Sequence, residues 1–387
     1  MKIFNISIIT MLILLIVSCG NNSDIPVRLP VELPITYEWV DNNGNNTVSF
    51  EGQTVRLKQA AEISLLMGSQ EADFTTLDEM FNLGEGFSDP SLNYSNSAKK
   101  VANKTASYSI NSVDIVNLFN SWIVEFTSDV VPAMIAGTVA TPGNAGVLAD
   151  GTNLRELNAK GMELDQLFTK GLIGALCGDQ IINGYLSEIK IADDIDNVRG
   201  DNGGYTTMEH HWDEAYGYLY GLQTNPSLFD VTNTNGDVLL FKYYAKADFF
   251  DIQDSIFNSF KLGREAISLD ANNGGTTLYS DVKMNEVDKI KKHISHIVGQ
   301  KAFDYINGAA QHLESGGARN GSFFHGLSEG VGFVVSLQFT YNDGKPYFSY
   351  SQVNSMLETL SSENGLWDVT IEELNQMALE IQTAFSL

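Results

Sequence analysis

Basic residues are scarce in this chain of 387 residues: 23 Lys and Arg stand against 48 Asp and Glu, for a formal charge of −25. A surface of that sign repels phosphate backbones and anionic lipids, which argues against nucleic-acid binding. It attracts cations, but acidity also serves solubility, so charge alone favours a cation ligand only slightly. Cysteine is scarcer still, with Cys19 and Cys177 the two in the chain. Cys177 lies in an apolar stretch and reads as a small core residue. Histidine numbers six, so any site that uses imidazole must draw on few candidates. Long apolar runs are missing apart from Ile8 to Val17, which is too short for a stable membrane span.

That run has a meaning of its own. A charged start at Lys2, a short apolar core and small residues before Cys19 form a secretory signal. Ile16-Val17-Ser18-Cys19 is similar to a bacterial lipobox, which implies cleavage before Cys19 and lipidation of its thiol. The expected organisation is a signal peptide over 1–18, an extended tether over 19–36 and a folded body over 37–387. Pro26, Pro30 and Pro34 suit the tether. The protein would then be held by a lipid on Cys19 in the bacterial cell envelope, at the outer membrane, facing the periplasm or the surface. With Cys19 lipidated, no intramolecular disulfide can form, and the body must hold by packing.

Ile35 to Val40, the turn from Asp41 to Asn46, and Thr47 to Leu57 predict a small N-terminal β-hairpin. Beyond it helical periods dominate, over about 58–67, 112–131, 153–190, 207–221, 243–269, 284–314, 320–340, 349–361 and 370–385. The longest carries a broad apolar stripe from Leu164 to Ile189, which predicts a place near the centre of a bundle. Gly171, Gly174 and Gly178 on that helix predict close approach of a second backbone.

One phrase occurs twice. His210, Glu214, Gly217 and Tyr218 share their spacing with His325, Glu329, Gly332 and Phe333. Residues i, i+4 and i+7 lie on one helical face, so each copy aligns an imidazole, a carboxylate and a bare patch of backbone. The repetition predicts an all-α, pseudo-duplicated antiparallel bundle with repeats over about 110–225 and 240–387. Facing stripes would offer imidazoles and carboxylates together, a donor set that suits iron, zinc or manganese better than calcium or copper(I). His211, Glu214, His325, Glu329 and His210 are therefore candidate ligands for a divalent or ferric ion, iron or zinc. Asp213 and Arg264 are candidate supports behind them. The alternative is a polar lock, in which each His bonds a carboxylate and holds the helices together. Gly326-Leu327-Ser328-Glu329-Gly330 also matches the Gly-x-Ser-x-Gly nucleophile elbow, but its flanks read as helical and no His follows His325.

His211-Trp212-Asp213-Glu214 resembles the His-x-x-Glu signature of the imelysin-like proteins, bacterial envelope proteins with a duplicated helical-bundle fold. Gly52 to Leu57, Lys160 to Leu164, Lys170 to Ala175, His211 to Tyr218, Gly263 to Ile267 and His325 to Phe333 resemble an uncharacterised Bacteroidota lipoprotein family, a domain of unknown function. The first resemblance implies an imelysin-like bundle and either iron uptake or metallopeptidase-like activity. His211 and Glu214 take the signature positions, although Glu209 stands where that signature has Gly. Three functions follow as expectations: capture of a metal ion or metal-bearing ligand in iron acquisition, a metal-dependent peptidase with Glu214 as general base, and an interaction or glycan-binding lipoprotein whose His and Glu residues are structural.

Overall fold

Side-chain caps decide where several of the main helices begin. Thr206 with Glu209, Ser349 with Gln352 and Thr370 with Glu373 each form a reciprocal capping box, satisfying two backbone donors at once. The computed structural model describes residues 28–94, 99–230 and 239–387. The signal peptide over 1–18, Cys19 and the first part of the tether lie outside the described residues. The helices are α1 (Glu51–Leu66), α2 (Phe74–Asp78), α3 (Ser112–Glu125), α4 (Val131–Ala136), α5 (Leu164–Leu172), α6 (Glu188–Ile191), α7 (Thr207–Tyr220), α8 (Leu239–Tyr244), α9 (Phe250–Asn272), α10 (Ser280–Glu314), α11 (Gly321–Ser336), α12 (Tyr350–Ser361) and α13 (Ile371–Phe385). Among the described residues, no helix is long and apolar enough to cross a membrane.

The fold is therefore all-α with one small antiparallel hairpin, but the hairpin is not N-terminal. Strands β1 (Gly146–Asp150) and β2 (Asn153–Leu157) pair from Gly146↔Leu157 to Asp150↔Asn153. Gly151, at φ +61°, provides the left-handed first position of their two-residue turn. Leu154, Arg155, Glu156 and Leu157 are good helix formers, and the turn overrides that propensity, so the helix expected from 153 starts only at Leu164. At the N-terminus the expected strand pair reduces to one bridge, Val40↔Asn46. The stretch expected as its second strand enters α1 at Glu51. Gln53, Arg56 and Gln59 are buried on that helix beside Val55, Leu57 and Ala60, so its inward face alternates polar and apolar residues and looks like a strand in sequence.

The helix that the sequence makes longest is shorter than α10 and changes form as it enters the core. After α5 the chain continues from Ile173 to Tyr185 as a π-helix, and every residue of that stretch except Asn183 is buried. Around it lie α7, α10 and α11, while α10 itself packs along α9, α11 and α13. The glycines permit the expected close approach. A Cβ added at Gly174 would sit 2.4 Å from Ser336 Cα, and the Gly174 N–H donates to Ser336 Oγ at 2.9 Å. Residues 31–387 form one compact unit.

Candidate functional site

Helix α7 presents two polar stripes, and they have different environments. Glu209 and Asp213, four residues apart, face α9 and its Arg264, and all three side chains are fully buried. The guanidinium donates to Asp213 Oδ1 at 2.9 Å and to Glu209 Oε1 at 2.8 Å. Further bonds come from Tyr37 Oη to Asp213 Oδ1 (2.7 Å) and from Arg199 to Glu209 (2.7 Å). Burial pushes the Glu209 carboxyl up, but Arg264 and Arg199 outweigh it and hold the group below its ordinary value. Asp213 and Arg264 thus sit together, as part of a paired buried network.

The second stripe carries the repeated phrase, and both copies build the same crossing. A Cβ at Gly217 would lie 2.5 Å from Phe50 Cβ and 3.0 Å from Gln53 Cβ; one at Gly332 would lie 2.5 Å from Lys170 Cβ. In each case the bare glycine lets the segment holding a long polar side chain come close, and that side chain reaches the Glu one turn back. Glu214 Oε1 accepts from Gln53 Nε2 (2.9 Å) and Tyr185 Oη (3.1 Å). Glu329 Oε1 accepts from Lys170 Nζ (2.9 Å) and Tyr243 Oη (3.1 Å). The phrase encodes a helix-crossing lock closed by tyrosine hydroxyls, Tyr185 in the first copy and Tyr243 with Tyr305 in the second.

The surroundings of the first copy carry more charge than the lock uses. Asp179 and Gln180, on the buried π-helix, hold the segment that follows Val101: Tyr108 N donates to Asp179 Oδ2 (3.0 Å), and Gln180 Nε2 donates to the Lys104 carbonyl (2.9 Å). Within that segment Ala106 adopts φ +51°, a left-handed conformation that costs a non-glycine residue energy. Lys104 Nζ reaches Tyr185 Oη at 3.0 Å, and Lys190 Nζ lies 3.4 Å from His211 Nε2. Burial, with Arg56 nearby, holds the Lys104 ammonium below its ordinary value against the pull of Glu214. Burial raises Asp179 to about 6 and the Tyr185 hydroxyl well above its usual value. Tyr218 Oη and His210 Nδ1 are buried without a hydrogen-bond partner. Glu214 and His210 keep side-chain exposures of 18% and 31%, so the cluster is reachable from solvent. Such unsatisfied buried groups and π-helical backbone concentrate at functional sites.

The two stripes expected to share an ion are not gathered. Among the described residues, no group of three or more His, Cys, Asp or Glu side chains is placed to hold a metal. His211 donates its Nδ1–H to the Lys190 carbonyl (2.7 Å) and turns Nε2 to a lysine. His210 Nε2 stands 4.0 Å from Glu214 and its ring stacks on Tyr205. His325 Nδ1 lies 2.5 Å from Glu163 and 3.1 Å from Arg155. Glu329 is held by Lys170, which draws its carboxyl down to about 2 although burial pushes it up. Ser328, the apparent elbow serine, is buried within α11 and accepts from Glu163 N (2.9 Å). Sequence reasoning missed Gln53, Lys104, Asp179 and Tyr185. Asp179 gave a signal, since it is a lone acid in an apolar run.

The fold and the site define a helical bundle with a half-buried, mixed-charge cluster at one of two similar crossings. The chain belongs to a family named as a domain of unknown function (DUF4856), whose model matches residues 34–387. No curated protein and no solved structure matches the chain.

Proposed function

We propose that this protein is a binding protein that captures a small anionic ligand at the first copy of the repeated phrase. The observation that carries the reading is the gathering of Arg56, Lys104 and Lys190 beside His211 and Glu214 in a chain whose total charge is strongly negative. Of the two acids that face them, Glu214 already accepts from Gln53 and Tyr185, and Asp179 is raised to about 6. A bare cation entering here meets like charge. A carboxylate-rich ligand meets ammonium groups and tyrosine hydroxyls, the donors that suit it. Iron or zinc would arrive inside an anionic chelate, which keeps iron acquisition within this reading. Envelope anchoring through a lipid on Cys19 is part of the same proposal, as is kinship to imelysin-like envelope proteins. The peptidase alternative draws less support, because Glu214 is tied through Oε1 to Gln53 and Tyr185 in the helix-crossing lock.

Calorimetry on chelator-stripped protein tests the reading. Citrate and ferric citrate should bind saturably, and Lys104→Ala should weaken both by about tenfold, the loss of one charge-assisted contact. Binding of ferrous or zinc ion that His211→Ala abolishes, with no response to citrate, would return the site to a bare ion.

A further inference from the structure

The segment from Tyr37 to Phe50 has no regular helix or strand, yet almost every turn of it is pinned. Asp41 accepts from the backbone of Asn43 (2.8 Å), Asn45 (2.9 Å) and Gly204 (2.8 Å). Trp39 Nε1 donates to Glu265 at 2.7 Å. The inner side of the segment is tied to the buried charges of α7 and α9. Tyr37 Oη and Ser49 N bond the two oxygens of Asp213 (2.7 and 3.2 Å), and Arg264 donates to Thr47 Oγ1 (3.2 Å). Burying three charges is costly and rarely stabilises a fold better than apolar residues would. Here those charges fix a loop that packing alone would leave loose.

That loop lines a cleft of about 770 Å³, whose wall also includes Asn225 to Ser227. The partly buried rings of Trp39 and Phe50 lie in the wall with Glu38, Asn46, Glu51 and Asn225. Among the described residues that line it there is no Lys, Arg or His, unlike the cluster around Glu214. An anion would meet the carboxylates of Glu38 and Glu51, the second of which has Lys99 3.8 Å away, and an apolar ligand would strand the amides and carboxylates. A neutral polyhydroxylated ligand uses both surfaces: its C–H faces pack on the rings, and its hydroxyls donate to carboxylates and exchange bonds with amides. We propose that this cleft is a carbohydrate-binding site for a neutral oligosaccharide, preorganised by the Arg264–Asp213 network. Preorganisation favours binding because the ordering cost is met on folding.

The test titrates the full-length, detergent-solubilised protein with neutral glucose- and N-acetylglucosamine-based hexasaccharides, read by tryptophan fluorescence and calorimetry. Saturable binding is expected with at least one series, weakened by about tenfold in Trp39→Ala, the usual scale for loss of one stacking ring. Asn46→Ala and Asn225→Ala, both at exposed positions, should each weaken it several-fold. Lys104→Ala in the other cluster should leave it unchanged. If Trp39→Ala fails to fold by circular dichroism, the two Asn variants carry the test. Absence of binding by every sugar at about 10 mM, where even weak lectin-like sites begin to fill, overturns the proposal. So does binding that both Asn variants leave intact.

Discussion

The two copies of the repeated phrase fold alike but keep different company. Around Glu329 the charges balance: Lys170 meets the carboxylate, and Glu163 takes His325. Around Glu214 the partners in the lock are neutral, Gln53 and Tyr185, while Lys104 and Lys190 bring positive charge close by. The local frame of His, Glu, Gly and aromatic therefore specifies how two segments cross. Whether the crossing is also a ligand site is decided by residues elsewhere in the chain. On the proposed function, the closed charge balance belongs to the copy that holds the fold and the surplus of cations to the copy that would bind the anion.

The sharpest way to break this contrast is to remove the cation from each copy. Lys170→Met strands the Glu329 carboxylate in the core and should cost about 3–5 kcal/mol in urea unfolding, the scale for breaking a buried pair. Lys104→Met removes an ammonium that burial already disfavours, and should change stability by less than about 1 kcal/mol. Equal losses would mean that the copies are the same. The Glu329 pair also has a pH signature. Its carboxyl is drawn down to about 2, so its contribution is full above the unfolded value near 4.3 and is lost as pH falls from there towards 2.

The shared part of the frame should respond equally in both copies. Gly217→Ala and Gly332→Ala each place a Cβ 2.5 Å from a neighbouring Cβ, and overpacking of that kind costs about 1–3 kcal/mol. Thermal unfolding of the two variants checks this. A neutral result at Gly217 alone would show that the first crossing is looser than the second.

Asp179 sharpens the electrostatic half of the comparison. Burial raises its carboxyl to about 6, so the folded state holds its proton more tightly than the unfolded chain does. Stability is then lost as pH rises from about 4 to 6, and Asp179→Asn should restore up to about 3 kcal/mol at pH 8 while changing nothing below pH 4. Denaturant titrations at the two pH values read this directly.

Much of the architecture was legible because long helices advertise themselves by period. The starts of α7, α12 and α13, expected at about 207, 349 and 370, fall within a residue of those positions, where Thr206, Ser349 and Thr370 cap them. The hairpin was misplaced because Gln53, Arg56 and Gln59 point inward on α1 and hide its apolar face, whereas Leu154 to Leu157 prefer helix and obey the Asp150-Gly151 turn instead. The repeated phrase was found by spacing alone, and its Glu and Gly do share a face. What spacing could not show is the partner on the other side of each crossing. Gln53 lies 161 positions from Glu214 and Lys170 lies 159 from Glu329, and nothing in the local frame says that one is neutral and the other charged. Asp213 and Arg264 were expected beside an ion; they meet because Asp213, with Glu209, supplies the countercharge that the guanidinium needs in a dry interface.

His211 gives the smallest effect and separates the two readings of the phrase most cleanly. Its Nδ1–H bonds the Lys190 carbonyl, near the end of the short helix α6. Losing one such bond costs about 1 kcal/mol. His211→Ala should therefore lower the melting temperature by a few degrees, since about 1 kcal/mol shifts a chain of this size only slightly. It should also free the Lys190 ammonium from the facing ring, leaving citrate affinity equal or somewhat higher. A residue that ligated an ion would behave in the opposite way, with stability almost untouched and metal affinity gone. Melting curves of the variant recorded with and without zinc distinguish the two outcomes, because only a ligand-type His211 would let the wild type gain stability from the ion and the variant not.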